Sequence, residues 1–255
     1  MLWYACDPQI AGHQQQRVLP TGCAQIVLSL ARDFLTDANH PTDPLAPQPA
    51  ALLLGIYSRY QQIDAFDFAG LMGVVFRPGG TLPFLRESAH RLSNCETALE
   101  AVWPEAASLR CALREAGTVA QKFSLLESAL LARLRQSQRH ELHPAVRLSL
   151  ASICSHASAA TVAELTRDTG LSTRRLAQLF EEQVGVSPKL YCRIRRFQQA
   201  IAQLHTGSEM PWAELALACG YYDQSHFSND FRAFSGISPS TYSSSSRPWA
   251  NHVEL

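Results

Sequence analysis

A repeat in the C-terminal third constrains this chain more than any other feature. Ala163-Glu164-Leu165 recurs as Ala213-Glu214-Leu215, and Gly170 recurs as Gly220, each 50 positions on. Leu176, Phe180, Gly185 and Ser187-Pro188 then recur as Phe227, Phe231, Gly236 and Ser238-Pro239, now 51 positions on. One residue is inserted just after the second copy's turn glycine. A repeat with this spacing is one supersecondary unit used twice.

Each copy predicts helix, glycine turn, helix. In the first, Gly170 supplies the positive φ of a tight turn, and Ser172 is placed to cap the helix that follows. Leu176, Leu179 and Phe180 form the buried stripe of that helix, which turns Thr173, Arg174, Ala177 and Gln178 outward. In the second, Asp223 is the cap and Phe227, Phe231 and Phe234 are buried. Gln224, Ser225, His226, Ser228, Asn229 and Arg232 are left on the outer surface. Between the units, Pro188 to His205 predicts a single helix with Leu190, Ile194, Phe197, Ile201 and Leu204 as its apolar face. At ~1.5 Å per residue it spans about 27 Å, so it can hold two recognition helices in successive major grooves roughly 34 Å apart.

The exposed chemistry suits a major groove. Arginine pairs in bidentate fashion with guanine, glutamine and asparagine with adenine, and small hydroxyls reach phosphates. The whole chain carries 22 basic and 22 acidic residues, so its formal charge of zero shows no nucleic-acid footprint. A local patch supplies one instead. Between Ser172 and Arg196 the basic residues are Arg174, Arg175, Lys189, Arg193, Arg195 and Arg196, against only Glu181 and Glu182. Arg174 and Gln178 are expected to read bases, and Arg195 and Arg196 to touch phosphates. Double-stranded DNA is the expected partner, bound by one protomer at an asymmetric site.

These residues also resemble a known family. The segments LSTRRLAQLFEEQVGVSP (171–188) and LALACGYYDQSHFSNDFRAFSGISPSTY (215–242) look like the two helix-turn-helix motifs of AraC/XylS-type regulators, and the likeness spans residues 141–243. It implies an all-α DNA-binding domain acting on transcription, with contact to RNA polymerase open to it. One departure is Asn229, where many members carry a basic residue.

The remainder predicts an α+β chain, with a small β-rich domain over residues 1–110 and a helical connector over 111–140. The helical domain then covers 141–243 and a flexible tail 244–255. QIVLSL (25–30), ALLLGIY (51–57), YQQIDAF (60–66) and GLMGVVF (70–76) are apolar runs of strand length. Pro41, Pro44, Pro47 and Pro49 make residues 36–50 a long surface loop. Thr81 is placed to cap a helix running toward Leu92, and helical periodicity begins near Glu96. Thr118 opens an amphipathic helix to about residue 136, expected to pack within the chain rather than form a dimer seam. A polar joint ending at His140 makes the reader separable, so that residues 141–255 should fold alone.

Three segments, VLPTGCAQIVLSL (18–30), LLLGIYSR (52–59) and GVVFRPGGTLPFL (73–85), resemble an uncharacterised N-terminal domain found on some AraC-type regulators. The resemblance implies a sensor that takes a small-molecule effector or joins two copies as a homodimer. Arg77, Gly79 and Gly80 are the local candidates for an effector contact, since an arginine beside exposed amides can hold an anion. The competing expectation for that turn is an ordinary strand-to-helix connection.

Other functions find less support. No P-loop, G-x-S-x-G or H-E-x-x-H occurs, and none of the seven cysteines sits in a recognisable reactive setting. An enzyme such as a DNA-repair alkyltransferase on the same reader is therefore disfavoured. A ligand-free regulator whose N-terminal domain binds only protein stays open. No cofactor is expected. No metal is expected either, because His13, His40, Cys6 and Cys23 match no standard ligand spacing. No apolar run reaches the ~20 residues of a membrane span, and the N-terminus lacks the features of a secretory signal. The expected location is cytoplasmic.

Overall fold

The computed structural model describes residues 1–6, 15–39, 43, 46–85, 88–138, 141–155, 160–206, 210–244 and 249–254. His13, His40 and His140 lie outside the described residues. The N-terminal half contains β1 (Leu2–Cys6), β2 (Gln15–Val18), β3 (Gln25–Ser29), β4 (Phe34–Asp37), β5 (Ala46–Pro49), β6 (Ala51–Leu54), β7 (Gln61–Asp64), β8 (Ala69–Val75) and β9 (Glu96–Ala98). Helices α1 (Leu99–Val102), α2 (Ala106–Glu115) and α3 (Val119–Gln136) follow. The C-terminal half holds α4 (Pro144–Ser155), α5 (Val162–Thr169), α6 (Thr173–Val184), α7 (Pro188–His205), α8 (Trp212–Ala218), α9 (Gln224–Ser235), α10 (Pro239–Ser244) and a last strand, β10 (His252–Glu254).

Five antiparallel strands form the main sheet in the order β1-β8-β3-β6-β9. One face buries Ile26, Leu28, Leu53, Met72 and Val74 together with Leu99, Trp103, Leu113 and Leu126 of α1 to α3. The opposite face buries Leu35, Leu52 and Leu71 beneath Trp3. Gly73 is required there, because a Cβ at that position would stand 2.4 Å from the Trp3 indole. The strands at 25–29, 51–54 and 69–75 follow the apolar runs, since a sheet covered on both faces needs continuous apolar sequence rather than alternation, while 61–64 forms β7 in a separate, three-stranded sheet.

Several expectations change. The segment 36–50 is not simply a surface loop, because β4 and β5 pair antiparallel with Thr36 opposite Pro47 and Phe34 opposite Pro49. Two strands alone have free edges, and prolines two apart can both turn their missing N–H outward. No helix runs from Thr81 to Leu92. Two 3₁₀ turns, Leu82–Phe84 and Ala89–Leu92, stand there instead, and the side chain that caps is Ser88, not Thr81. Residues 96–98 are an edge strand on β6 before the helices begin.

The connector is helical and packs on the N-terminal unit. The N-terminal unit runs past residue 110, since α2 and α3 cover the main sheet and Leu113 and Leu126 are fully buried in its core. Thr118 caps α3 through a complete capping box with Gln121. Leu126 of its apolar stripe is buried and Phe123 and Leu130 pack against the core, while Val119 at its start is exposed. The tail is also ordered where described. Strand β10 pairs antiparallel with β2, Val253 opposite Arg17, to complete a sheet of order β10-β2-β7.

The reader is joined to this unit by a shared core. Leu19, Ile56 and Val253 belong to the same buried cluster as Phe180, Tyr191, Ile194, Phe197 and Phe231. The boundary near residue 140 thus divides the chain in sequence but not in packing.

Candidate nucleic-acid interface

The repeat is realised twice in the backbone. Gly170 and Gly220 carry φ of +67° and +79°, and Gly185 and Gly236 carry +106° and +74°. All four are left-handed, which favours glycine. Ser172 accepts from the amide of Arg175 to cap α6, and Asp223 accepts from the amide of His226 to cap α9. Ser187 caps α7, where Pro188 occupies the first turn without losing a helical hydrogen bond. The motif thereby leaves the N-terminal ends of α6 and α9 open.

On α6, Ser172, Thr173, Arg174, Arg175 and Gln178 are exposed while Leu176, Leu179 and Phe180 are buried. Arg175 Nη1 donates to Gln178 Oε1 at 3.1 Å, which orients the glutamine beside Arg174. On α9, Gln224, Ser225, His226, Asn229 and Arg232 are exposed and Ser228 is half-buried. The His226 ring is turned back toward its own cap, with Nδ1 accepting from the Tyr222 amide at 3.5 Å and the ring edge on Tyr221. Tyr222, which sequence reasoning did not single out, is 86% exposed at the start of α9. Its signal was only its position between the turn glycine and the cap.

The basic residues of α7 divide differently from the expectation. Arg193 is held by Asp230 of α9, with Nη2 at 2.6 Å from Oδ1 and Nε at 3.2 Å from both oxygens. Its guanidinium also lies over the Phe234 ring, and the Asp230 bond pushes its pKa further up. Arg196 donates to the carbonyl of Gly220 at 2.9 Å and covers the Tyr221 ring. Gln199 reaches the carbonyl of Ala218. Residues 193, 196 and 199 form one stripe of α7 that fastens the second unit. Arg195 is half-buried, its Nε without a partner among the described residues, and Lys189 is exposed at the start of α7.

The two recognition helices are pinned to α7 by aromatic contacts. Phe180 meets Tyr191 at 5.7 Å, and Phe197 meets Phe231 and Phe234 at 5.2 and 5.0 Å. The Cys192 and Cys219 thiols are buried, which pushes both up to about 11 and leaves them unreactive.

The turn at Arg77, Gly79 and Gly80 packs rather than opens. Gly80 donates its amide to the Arg77 carbonyl at 2.7 Å. A Cβ on Gly79 would stand 2.7 Å from Leu142 at the entrance to the reader, and Arg77 alone is exposed. A shallow groove of about 560 Å³ lies beside α6, lined by Ser88, His90, Arg174, Ala177, Gln178, Glu181 and Glu182. The N-terminal unit thus borders the first reading face. Among the described residues no cluster of potential metal ligands occurs, and no helix is long and apolar enough to cross a membrane.

Comparison with known proteins bears on both halves. Residues 165–245 match the family model described as a helix-turn-helix domain, and residues 1–97 match a domain of unknown function (DUF6597). Over 82 residues the chain is 35% identical to a probable transcriptional regulator, LumQ, of Photobacterium leiognathi, covering 32% of this chain and 33% of that protein. Over 138 residues it is 30% identical to the arabinose operon regulatory protein of Escherichia coli K12, covering 52% and 47% respectively. The chain therefore spans from a third to about half the length of these relatives. A probable AraC family transcriptional regulator from Rhodopseudomonas palustris CGA009 is 30% identical over 39% of this chain and 94% of that one, with a TM-score of 0.35. ToxT from Vibrio cholerae O395 aligns over 95% of this chain and 96% of that one at 12% identity, with a TM-score of 0.46. The C-terminal unit of this chain is an AraC-type helix-turn-helix domain, carried behind an N-terminal domain of unknown function.

Proposed function

We propose that the chain is a sequence-specific DNA-binding regulator of transcription whose two helix-turn-helix units read adjacent major grooves. The observation that carries this is the pair of capped recognition helices. Their N-terminal ends stand free, and one 18-residue helix, α7, holds them both. Thr173, Arg174 and Gln178 present one surface, and Gln224, Ser225 and Asn229 present a different one. A single protomer therefore reads two unlike blocks about one helical turn apart, an asymmetric site of about 17–20 base pairs. Arg174 and Gln178 read bases in the first block. Lys189 and Arg195 supply phosphate contacts, and Arg193 and Arg196 hold the second unit in place.

The N-terminal unit is the receiver of the regulatory signal in this proposal, a small molecule or a second copy of the chain. Its contact with the flank of α6 supports that role, because a shift there reaches the first reading face directly. Contact with RNA polymerase and a cytoplasmic site of action belong to the same reading, which includes no chemical step. Selection of bound sequences from a random DNA pool with the full chain tests it. An asymmetric two-block motif is the expected result. Enrichment of no motif, or of one short palindrome, overturns it.

A further inference from the structure

The two recognition helices end in matching ways, and the N-terminal unit touches both ends. At the C-terminus of α6, Gly185 lies against the 3₁₀ turn Ala89–Leu92. A Cβ there would be 3.1 Å from the Ala89 carbonyl oxygen, and the His90 ring Nδ1 is 3.4 Å from the Gly185 carbonyl. At the C-terminus of α9, the Tyr60 amide donates to the Phe234 carbonyl at 2.8 Å. A Cβ on Gly236 would be 2.5 Å from the Tyr60 ring, which is itself held under Arg17 at 4.5 Å. Gly185 and Gly236 are equivalent positions of the repeat. A third contact grips the rod between them, where Gln198 of α7 donates to the Pro20 carbonyl at 2.7 Å.

We propose that the N-terminal unit is the spacing gauge of the reader. By seating on the C-terminal caps of both recognition helices, it fixes their separation and with it the spacing of the two DNA blocks. Tyr60, Ala89 and His90 are positioning residues in this scheme and touch no DNA. The inference rests on the tandem reading proposed above. Its physical basis is that aromatic contacts to α7 resist separation more than sliding, whereas a hydrogen bond and a close backbone approach at each far end restrict tilt. A change of shape in the N-terminal unit then alters which spacing is preferred, not which bases are read.

The repeat supplies its own control. Gly236 and Gly170 share a left-handed backbone, so alanine at either pays a similar conformational cost. A Cβ at Gly170 meets nothing within 4 Å, whereas one at Gly236 meets Tyr60. The test measures affinity of the full chain for its selected site and for sites with one base pair added or removed between the blocks. Wild type and Gly170→Ala should both discriminate by about tenfold, the cost of a single mismatched position. Gly236→Ala should discriminate only about two- to threefold with unchanged preferences within each block, and adding Tyr60→Ala should restore the difference by making room. Equal behaviour of Gly236→Ala and Gly170→Ala, or no recovery with Tyr60→Ala, overturns the inference.

A readout without DNA separates this from the tandem reading. Spin-labelled non-natural residues at positions 175 and 229 report the distance between α6 and α9. Should the wild-type chain select no two-block site, the tandem reading falls and the gauge of DNA spacing falls with it, while the labels still test its structural half. A distribution broadened in Gly236→Ala but not in Gly170→Ala upholds the N-terminal unit as what fixes the separation of α6 and α9, and identical distributions overturn it.

Discussion

Leu19→Ala tests whether the N-terminal unit is part of the reader's core. Leu19 is 1% exposed and belongs to the cluster that contains Phe180, Tyr191 and Ile194. It follows β2, and its amide donates to the Asn251 carbonyl at 2.8 Å. The adjoining backbone is equally committed, since a Cβ on Gly22 would stand 3.2 Å from both Tyr191 and Ile194. A site walled by backbone on one side and by α7 on the other has little freedom to collapse around the lost methyl groups. The cost should fall within the ~2–5 kcal/mol seen for buried leucine truncation. At ~2–4 °C per kcal/mol for a chain of this size, the melting temperature should drop by about 4 to 20 °C. Unfolding followed by the far-UV signal, which α4 to α10 dominate, is the assay. Leu131→Ala on the outer face of α3, where the side chain is 44% exposed, is the control and should cost under ~0.5 kcal/mol. If Leu19→Ala were as mild as Leu131→Ala, the shared core would be refuted, and the 141–255 fragment would fold alone as the polar joint suggests.

The other predictions concern the tail, pH and the reading face. Ending the chain at Ser244 removes Val253 from the core and the Tyr242 hydroxyl's bond to Ala250, and should cost about 3–5 kcal/mol in urea unfolding. Burial holds the His252 imidazole below its ordinary 6.5, so its neutral form belongs to the folded state. That contribution is present above pH 6.5 and lost as pH falls through the lowered value, and His252→Asn should flatten stability measured across this range. Arg174→Ala should weaken binding by about 1–3 kcal/mol and relax one or two positions of the selected motif. Asp230→Ala should weaken DNA binding as Arg193→Ala does. A gain in affinity with a steeper salt dependence would instead show a phosphate-binding arginine held in reserve.

The repeat, the left-handed turn at Gly170 and the extent of α7 were legible because each is a local fact. A helix stripe or a turn glycine reports its own backbone within one or two turns of chain. What stayed hidden is long-range. Nothing near Arg193 marks Asp230, 37 residues on, as its partner, so the arginine reads as one more basic residue of a DNA-facing helix. Residues 252–254 are too short for any period to show, and they become a strand only because β2 offers an open edge. Pro47 and Pro49 argue against a sheet interior, and the structure obeys that rule with a two-stranded ribbon. The fused core was missed for the same reason, since Leu19 and Ile56 look like ordinary members of a β-rich domain.

The central claim is that two units of one chain read DNA together along one face. Its most direct test inserts about five base pairs between the two blocks of the selected site and measures the full chain's affinity and footprint. Half a helical turn carries the second block to the opposite face, where α7 cannot follow. The account predicts affinity falling to that of the first block alone, with protection over the second block lost. Unchanged affinity with both blocks still protected would contradict it.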